Sequence, residues 1–274
     1  MSAVIHPTAV VHAASRLGPN VSIGPYAVIE EGVELGEGTV IASHAIVRSG
    51  SILGPGCFID SHAVVGGLPQ DLRFDPRTLS GVRLGAKVVV REGATIHRPT
   101  REGAFTVIGE GAFLMANAHV GHDSQVGAHV IIANNVMLGG FVQIGDHAFL
   151  GGGAAFHQHV RVGESAMVGG LSRCPQDVPP FTMVAERSEL AGLNLIGLKR
   201  RGFSRESIRA IKQAFAKLFH ESGNLRIRAT DLLASPLAEN EEARRFLAFF
   251  TENSRGFARP LRSRNHTSES VESV

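Results

Sequence analysis

The sequence predicts a mainly β protein, a left-handed parallel β-helix of hexapeptide repeats followed by a C-terminal α-helical domain. Three observations support this fold class. An aliphatic residue recurs every six positions over most of the span from Ile5 to Val168, consecutive prolines follow at Pro179 and Pro180, and the rhythm beyond them is helical. Fixed self-similarity marks a solenoid, and a hexapeptide period is typical of a parallel β-helix.

The repeat rules out the ordinary elements. A helical face would need spacings of three and four, and a common strand alternates every second residue without a sixfold period. Only Phe156 departs from Ile, Leu or Val at the repeated position, so chance recurrence is rejected. The repeated residues are Ile5, Val11, Leu17, Ile23, Ile29, Leu35, Ile41, Val47, Leu53, Ile59, Val65, Leu84, Val90, Ile96, Ile108, Leu114, Val120, Val126, Ile132, Leu138, Ile144, Leu150, Phe156, Val162 and Val168.

Three hexads make one triangular coil. Each aliphatic residue points inward from a short flat strand, and glycine often follows it, as at Gly36, Gly109 and Gly145. These glycines serve corners that need a positive φ or a close backbone approach. The predicted core is a stack of thin aliphatic layers, in agreement with 32 Gly, one Tyr and no Trp.

Two irregularities interrupt the repeat. Between Val65 and Leu84 the frame slips, which predicts a loop inserted at about residues 66–83. At residues 98–103 the frame is kept, but the aliphatic pattern is broken. Loops held by a rigid scaffold often bind substrates or carry catalytic residues, so both segments are candidate functional loops.

The β-helix is predicted to span residues 1–183. The segment QDVPP at residues 176–180 is expected to end the last coil, because consecutive prolines cannot donate hydrogen bonds to a sheet. A solenoid leaves its last coil open. We therefore expect the helices that follow to cover or flank that end.

The helical domain is predicted to span residues 184–262. Ser204 is the expected N-cap of a helix with one apolar face, and weaker helices are expected near residues 225–234 and 241–251. Residues 263–274 are predicted to form a disordered tail.

Composition favours a cytoplasmic enzyme. The N-terminus enters the first hexad without the basic and apolar regions of a signal peptide, and no apolar run approaches the roughly 18 residues of a transmembrane segment. Cys57 and Cys174 lie far apart without metal-ligand spacing, which fits two structural thiols in a reducing compartment. These features predict a cytoplasmic protein with no transmembrane segment.

The net charge of +2 hides a strong asymmetry along the chain. Residues 1–186 carry 11 Lys and Arg against 15 Asp and Glu, whereas residues 187–264 carry 16 against 8. The basic end is a candidate docking surface for an acidic or phosphorylated partner, although a solvated helical face is the simpler explanation of the charge taken by itself. No nucleic-acid partner is expected, since no recognised reading motif accompanies the charge.

The stacking of successive coils gathers a candidate reaction centre at one edge of the prism. His122, Gly140 and Gln158 are three hexads apart, so they are expected on successive coils about 4.8 Å from one another. The same period predicts two flanking columns, Asp123, Phe141 and His159 on one side and Gly121, Gly139 and His157 on the other.

These are the groups that acyl transfer to a hydroxyl requires. Histidine titrates near pH 6.5, so a neutral His122 can accept a proton from a sugar hydroxyl at neutral pH. Asp123 is the candidate that orients the ring, if a corner conformation brings the consecutive side chains together. The N–H of Gly140, with no side chain in front of it, is the candidate donor to the oxyanion.

A zinc site is the competing interpretation. His119, His122 and His157 could supply three imidazoles to zinc, as histidines from neighbouring subunits do in trimeric β-helix carbonic anhydrases. We favour general-base catalysis and expect neither a metal nor another cofactor.

Several ordered motifs resemble one enzyme family, the acyl-carrier-protein:UDP-N-acetylglucosamine O-acyltransferases of lipid A biosynthesis. They are HVGHD at residues 119–123, QDVPP at 176–180 and GLNLIGLKRRGFS at 192–204, together with QDLR at 70–73 and TIHR at 95–98. The similarity runs from about residue 4 to 258.

The resemblance implies a homotrimer that moves a 3-hydroxyacyl group from acyl carrier protein, where phosphopantetheine holds it, to the 3-OH of UDP-N-acetylglucosamine. It implies that His122 is the general base, Asp123 its partner and Gly140 the oxyanion donor. Gly170 matches the position that limits acyl-chain length, and glycine there favours a longer chain. The implied substrate-binding residues are Gln70, Asp71, Arg73, His97, His119, His157, Gln158, Asn194, Arg200 and Arg201.

Two positions depart from the family pattern. Phe141 stands where the family often has a histidine beside the oxyanion glycine, and phenylalanine cannot donate a hydrogen bond. Glu186 and Arg187 stand where the family usually has Gly-Asn after the paired prolines.

An acetyl-CoA-dependent sugar or serine acetyltransferase would share the fold, but the basic helical end favours delivery by a carrier protein over free coenzyme A. Three further alternatives remain from the sequence. One is a related β-helix acyltransferase whose acceptor is a UDP-3-amino sugar. Another is the N-acyltransferase of the same pathway, which resembles a protein with an extra uridine-binding domain before its coils; the hexads here begin at Ile5. The last is a trimeric scaffold without catalytic activity.

Overall fold

Short strands stack into three sheets in the computed structural model, which describes residues 2–220, 223–252 and 255–260. Sheet A contains Val4–Ile5, Ser22–Ile23, Val40–Ile41, Phe58–Ile59, Val89–Val90, Phe113–Leu114, Ile131–Ile132, Phe149–Leu150, Met167–Val168, Thr182–Ala185, Glu189–Leu193 and Arg259–Pro260. Sheet B contains Val10–Val11, Val28–Ile29, Ile46–Val47, Val64–Gly67, Thr95–His97, His119–Val120, Met137–Leu138, Ala155–Phe156 and Arg173–Cys174. Sheet C contains Arg16–Leu17, Glu34–Leu35, Ile52–Leu53, Gly81–Leu84, Phe105–Ile108, Gln125–Val126, Gln143–Ile144 and Arg161–Val162.

Each strand of the coils pairs in parallel with the equivalent strand one coil later. In sheet B, Val120 pairs with Leu138 and Leu138 pairs with Phe156. The repeated aliphatic residues point into the prism and form one continuous core along most of its length. The predicted fold class, a parallel β-helix followed by helices, is confirmed.

The corners between strands use left-handed backbone at one residue. Asp123, Phe141 and His159 form one such column, with φ of 60°, 60° and 64°. In extended backbone consecutive side chains point to opposite faces, but a left-handed corner residue breaks that alternation. The side chains of His122 and Asp123 can therefore meet on the outside of the prism.

Two loops leave the coils where the repeat is interrupted. The first occupies residues 68–80, between the strands Val64–Gly67 and Gly81–Leu84, and is thus shorter at both ends than the expected 66–83. The second occupies residues 98–104, between sheets B and C.

The paired prolines do not end the last coil, and this expectation was wrong. Val178 makes a parallel bridge to Val162, and Val184 pairs with Val168 in the next sheet. Pro179 and Pro180 lie at the corner between these contacts. Gly163 occupies the equivalent of Pro179 one coil earlier, and its N–H donates to the Val178 carbonyl of the following coil. In the described chain no further coil follows Pro179, so its lack of an N–H costs no hydrogen bond.

The expected boundary at residue 183 falls inside the strand Thr182–Ala185. That strand pairs antiparallel with Glu189–Leu193, which in turn pairs with Arg259–Pro260. Sheet A therefore extends into the C-terminal part of the chain.

Helices cover the last coils. They are α1 Leu195–Arg200, α2 Arg205–His220, α3 Leu225–Leu233, a 3-10 helix Pro236–Glu239 and α4 Glu241–Ala248. Ser204 caps α2 as expected, since its hydroxyl accepts from Ser207 N–H at 2.9 Å, whereas α1 was not foreseen. Phe215 and Phe219 of α2 pack against both the coil core and the helical core. None of the helices in the described residues is long and apolar enough to span a membrane, and the tail expected at 263–274 lies outside those residues.

A buried ion pair joins the last coils to the helices. The Arg161 Nε donates to Asp177 at 2.8 Å, and the two side chains are 10% and 0% exposed. The same guanidinium donates to Glu252 and to the Phe249 carbonyl, and it lies 4.4 Å from the centre of the Phe249 ring. Burial raises the pKa of Asp177, although Arg161 opposes that change.

We expect Asp177→Asn to lower the free energy of unfolding by about 3 kcal/mol, because it leaves the buried Arg161 without its main carboxylate. Urea denaturation followed by circular dichroism measures the change. Asp75→Asn is the matched control, since Asp75 pairs with Arg77 on the exposed loop, and its unfolding midpoint should equal that of the parent. Equal midpoints for the two variants would show that the buried pair does not stabilise the fold.

Candidate active site

His122 and Asp123 form a hydrogen-bonded pair at the corner between sheets B and C. The His122 Nδ1 lies 2.9 Å from Asp123 Oδ2, and the residues are 8% and 4% exposed. A carboxylate accepts hydrogen bonds, so this contact assigns the ring proton to Nδ1. The Nε2 of a neutral His122 is then free to accept a proton.

Asp123 receives further hydrogen bonds from the loop at residues 98–104. Thr100 donates its N–H and its hydroxyl to Oδ2, both at 2.9 Å, and Arg101 Nε donates to Oδ1 at 2.9 Å. Burial acts to raise the pKa of Asp123, but the donors from Thr100, His122 and Arg101 outweigh it and hold the pKa below its usual range. Asp123 is therefore a carboxylate at neutral pH.

Thr100 and Arg101 were not named by the sequence analysis. The available signal was the broken aliphatic pattern at residues 98–103, which marked the loop but not the residues that reach Asp123.

Gly140 lies one coil beyond His122, directly against its ring. A Cβ at Gly140 would lie 2.5 Å from both Cε1 and Nε2 of His122, so no side chain fits there. Within the described residues no acceptor is found for the Gly140 N–H. At some other corners the equivalent residue is proline, as at Pro19 and Pro25, so the coil does not require a hydrogen bond from this N–H. A free donor thus stands next to the free Nε2.

A cleft of about 440 Å³ opens in front of this pair. The inserted loop forms one wall of the cleft, and three corner residues line it next to His122. Arg73 N–H donates to Asp71 at 2.9 Å, and this bond lowers the pKa of the Asp71 carboxyl. The lining residues are Gln70, Asp71, Leu72, Arg73, His122, Phe141, Gln158 and His159.

His97 and His119 lie beside His122 without lining that cleft. Their ring centres are 4.9 Å apart, and His119 Nδ1 lies 2.8 Å from the Thr95 hydroxyl. Burial, with help from the neighbouring histidines, lowers the pKa of His97 to about 4 and that of His119 below its usual value. Both rings are therefore neutral at neutral pH.

His157, one of the expected site residues, does not line this cleft. It is exposed and lines a separate pocket of about 320 Å³ with Arg173 and Arg187. Within the described residues no group of three His, Cys, Asp or Glu side chains is arranged to hold a metal ion.

Three family models match the chain. The model described as UDP N-acetylglucosamine O-acyltransferase, domain 2, matches residues 177–258. The model of six bacterial transferase hexapeptide repeats matches residues 105–140, and that of the GMPPB C-terminal domain matches residues 1–100.

The chain is similar to acyl-[acyl-carrier-protein]–UDP-N-acetylglucosamine O-acyltransferases. The relative from Sulfurihydrogenibium sp. (strain YO3AOP1) is 50% identical over 256 residues, which cover 93% of this chain and 94% of the relative. This chain belongs to the UDP-N-acetylglucosamine O-acyltransferase family. The family resemblance and the acyltransferase class expected from the sequence are confirmed.

Two further similarities extend this finding. The family member from Thermodesulfovibrio yellowstonii is 45% identical over 85 residues, and that match spans 31% of this chain and 33% of the relative. The solved UDP-N-acetylglucosamine acyltransferase from Campylobacter jejuni has a TM-score of 0.86 at 36% identity, over 93% of this chain and 99% of that one.

Three of the expected substrate-binding residues, Asn194, Arg200 and Arg201, lie on or near another corner, between sheets C and A. Asn194 caps α1 and donates to the Ser165 carbonyl at 3.0 Å, and Arg201 donates to the Ser165 hydroxyl. Arg200 is exposed in the last turn of α1. Within one chain, therefore, these residues do not share a corner with His122.

The two departures from the family pattern have distinct structural roles. Phe141 packs edge-on against His122, with ring centres 5.2 Å apart, and stacks on His159 at 4.6 Å. Glu186 has φ of 50° and its carbonyl accepts from Arg173 N–H at 2.7 Å. The phenylalanine thus gives the cleft an apolar wall.

Proposed function

We propose that this protein transfers a 3-hydroxyacyl group from acyl carrier protein to the 3-OH of UDP-N-acetylglucosamine, the first step of lipid A biosynthesis. The observation that supports this most directly is the contact of Asp123 and Gly140 with His122, whose ring lines an open cleft. Membership of the O-acyltransferase family indicates which substrates the protein uses in this proposal.

In the proposed reaction His122 Nε2 takes the proton of the sugar 3-OH while that oxygen attacks the thioester carbonyl. Asp123 holds the ring by its Nδ1–H and stabilises the imidazolium that forms. The C–O bond to the sugar forms at this stage, and the carbonyl oxygen becomes an oxyanion.

The Gly140 N–H is the proposed donor to that oxyanion. Such a donor, aimed where charge develops, typically lowers the barrier by roughly 3 kcal/mol. Collapse of the intermediate breaks the C–S bond, and the proton held by His122 passes to the departing pantetheine sulfur. The products are the O-acyl sugar nucleotide and the free carrier thiol, so no cofactor is consumed.

A homotrimer is proposed as the active assembly. Large apolar side chains face outward on the flat sheets, with Ile131, Met137 and Met167 being 36%, 50% and 38% exposed. Ile131 and Met167 lie on sheet A with the half-buried Phe149 between them, and contiguous exposed apolar surface often marks a protein interface. Asn194 and Arg201 lie on a different corner from His122, so a neighbouring subunit must supply them if they hold the nucleotide of the same site.

Acyl carrier protein is the proposed donor partner, and the basic C-terminal region is the proposed surface that receives it. Residues 187–264 hold 16 Lys and Arg against 8 Asp and Glu, a balance that attracts an acidic carrier. The cytoplasmic location expected from the sequence stays a prediction.

The chain length of the donor is proposed to depend on Gly170. A Cβ there would lie 3.3 Å from the Gly152 carbonyl oxygen, and the space beyond is open. We expect mass spectrometry to find 3-O-acylated UDP-N-acetylglucosamine when the protein meets mixed acyl carrier protein donors. Gly170→Met should shift the product to shorter chains.

Leu171→Met is the control for this shift, because Leu171 is 81% exposed on the next residue. Absence of any acylated sugar from the parent protein would disprove the function. An unchanged chain distribution in Gly170→Met would disprove only the role of Gly170.

A further inference from the structure

The carboxylate of Asp123 is satisfied by a loop outside the coil frame. Its side chain is 0% exposed, and the Thr100 N–H, the Thr100 hydroxyl and the Arg101 guanidinium donate to it together with His122. A buried carboxylate without such donors is costly and tends to take up a proton. Asp123 therefore depends on residues 98–104 for its charge and its orientation.

Arg101 closes a ring of contacts around the imidazole. Its guanidinium lies 5.7 Å from the centre of the Phe141 ring, and Phe141 packs edge-on against His122. The sequence of contacts is Arg101 to Asp123, Asp123 to His122, His122 to Phe141 and Phe141 back to Arg101. Each member thus restricts two neighbours, although Arg101 itself is 67% exposed.

We infer that Thr100 and Arg101 are positioning residues, which fix the Asp123 carboxylate and through it the ring of His122. The inference rests on the proposed acyl transfer. Neither residue follows from the repeat, because both lie where the aliphatic pattern is broken. Phe141 completes the arrangement as the surface against which the oriented ring packs.

The test uses two substitutions, and the first has a conservative partner. Thr100→Val removes the hydroxyl donor at nearly constant volume, whereas Thr100→Ser retains it. Arg101→Met removes the guanidinium and keeps a flexible apolar stem. We expect Thr100→Val and Arg101→Met each to lower kcat about tenfold, with KM for the sugar nucleotide changed less than about twofold, and Thr100→Ser to remain near the parent.

Arg16→Met is the matched control for Arg101→Met. Arg16 also pairs with a carboxylate, Glu34, and is 78% exposed, but it lies on the first coils. Its kcat should equal that of the parent. Urea denaturation of all variants separates loss of fold from loss of positioning, and Thr100→Val still decides the inference if Arg101→Met does not fold.

The dependence of kcat on pH is a second measurement, and a residue with only a structural role would not shift it. The groups facing Asp123 are His122, Arg101 and Thr100, and those acting on His122 also include Asp71, His97 and His119. Loss of a donor raises the pKa of the buried carboxyl. The acid limb of kcat in Arg101→Met should therefore move to higher pH, and that of Arg16→Met should not.

Three results would overturn the inference. One is a parent-like kcat in both Thr100→Val and Arg101→Met. Another is a raised KM with unchanged kcat, which would indicate substrate binding. The third is a Thr100→Ser protein as slow as Thr100→Val. Failure of the proposed function itself looks different, because the parent would then form no acylated sugar.

Discussion

His122→Ala is expected to lower turnover with acyl carrier protein donor and UDP-N-acetylglucosamine by at least about a hundredfold, since a positioned general base contributes typically that much or more. The cost falls on kcat, because Nε2 takes the proton only as the bond to the carbonyl forms. Steady-state kinetics measures it. The proposed trimer should persist in analytical ultracentrifugation, because the imidazole lies in the cleft and the core layers lie behind it.

His12→Ala is the matched control for this experiment. His12 is exposed near the same edge of the prism, several coils before the cleft. Its turnover should equal that of the parent. Near-normal turnover in His122→Ala would remove the general-base assignment. Loss of the parent's turnover in the presence of a chelator would instead support the zinc alternative, and we expect no such loss.

Gly140→Ala is expected to lower kcat by about a hundredfold, although it adds a single methyl group. The new Cβ would lie 2.5 Å from the Cε1 and Nε2 atoms of His122, far inside contact distance. The ring must then move away from Asp123, and a displacement on the order of 1 Å of a catalytic group costs about that much. Single-turnover kinetics measures the chemical step directly.

Gly152→Ala serves as its control. Gly152 occupies the equivalent position on another corner, where an added Cβ would meet only the Asn134 carbonyl at 3.4 Å, an ordinary contact. We expect parent-like kcat and stability. If both alanine variants lost kcat equally, corner geometry in general would explain the effect and the assignment of Gly140 would fail.

The period of the sequence explains why so much of the site was predictable. Because coils of three hexads stack in register, arithmetic alone placed Gly140 against His122 and Phe141 beside His159. The corner conformation of Asp123 was a stated condition, and its φ of 60° meets it.

The features of the site and fold that the sequence did not predict lie outside the hexapeptide repeat. Thr100 and Arg101 reach Asp123 from an irregular loop, and nothing in their spacing encodes that contact. The sequence predicts too early an end for the last coil, because proline cannot donate a hydrogen bond within a sheet. Pro179 and Pro180 instead lie at a corner, where no N–H donor is needed. In this coil Val162 pairs with Val178, which is closer along the sequence than three full hexads. The hexapeptide period therefore does not predict the register of this pairing.

The way in which the chain re-enters its ladder after each loop has a consequence for how such enzymes diversify. Ile59 pairs with Val90 and Ile96 pairs with Val120, so rungs separated by more than three hexads still align as if nothing intervened. The additional residues therefore loop out at an edge of the prism, and the next strand keeps its register. Insertions or deletions confined to the loop at residues 68–80 can reshape the mouth of the cleft while the reacting groups behind it keep their alignment. The loop at residues 98–104 has no such freedom, because it holds Asp123.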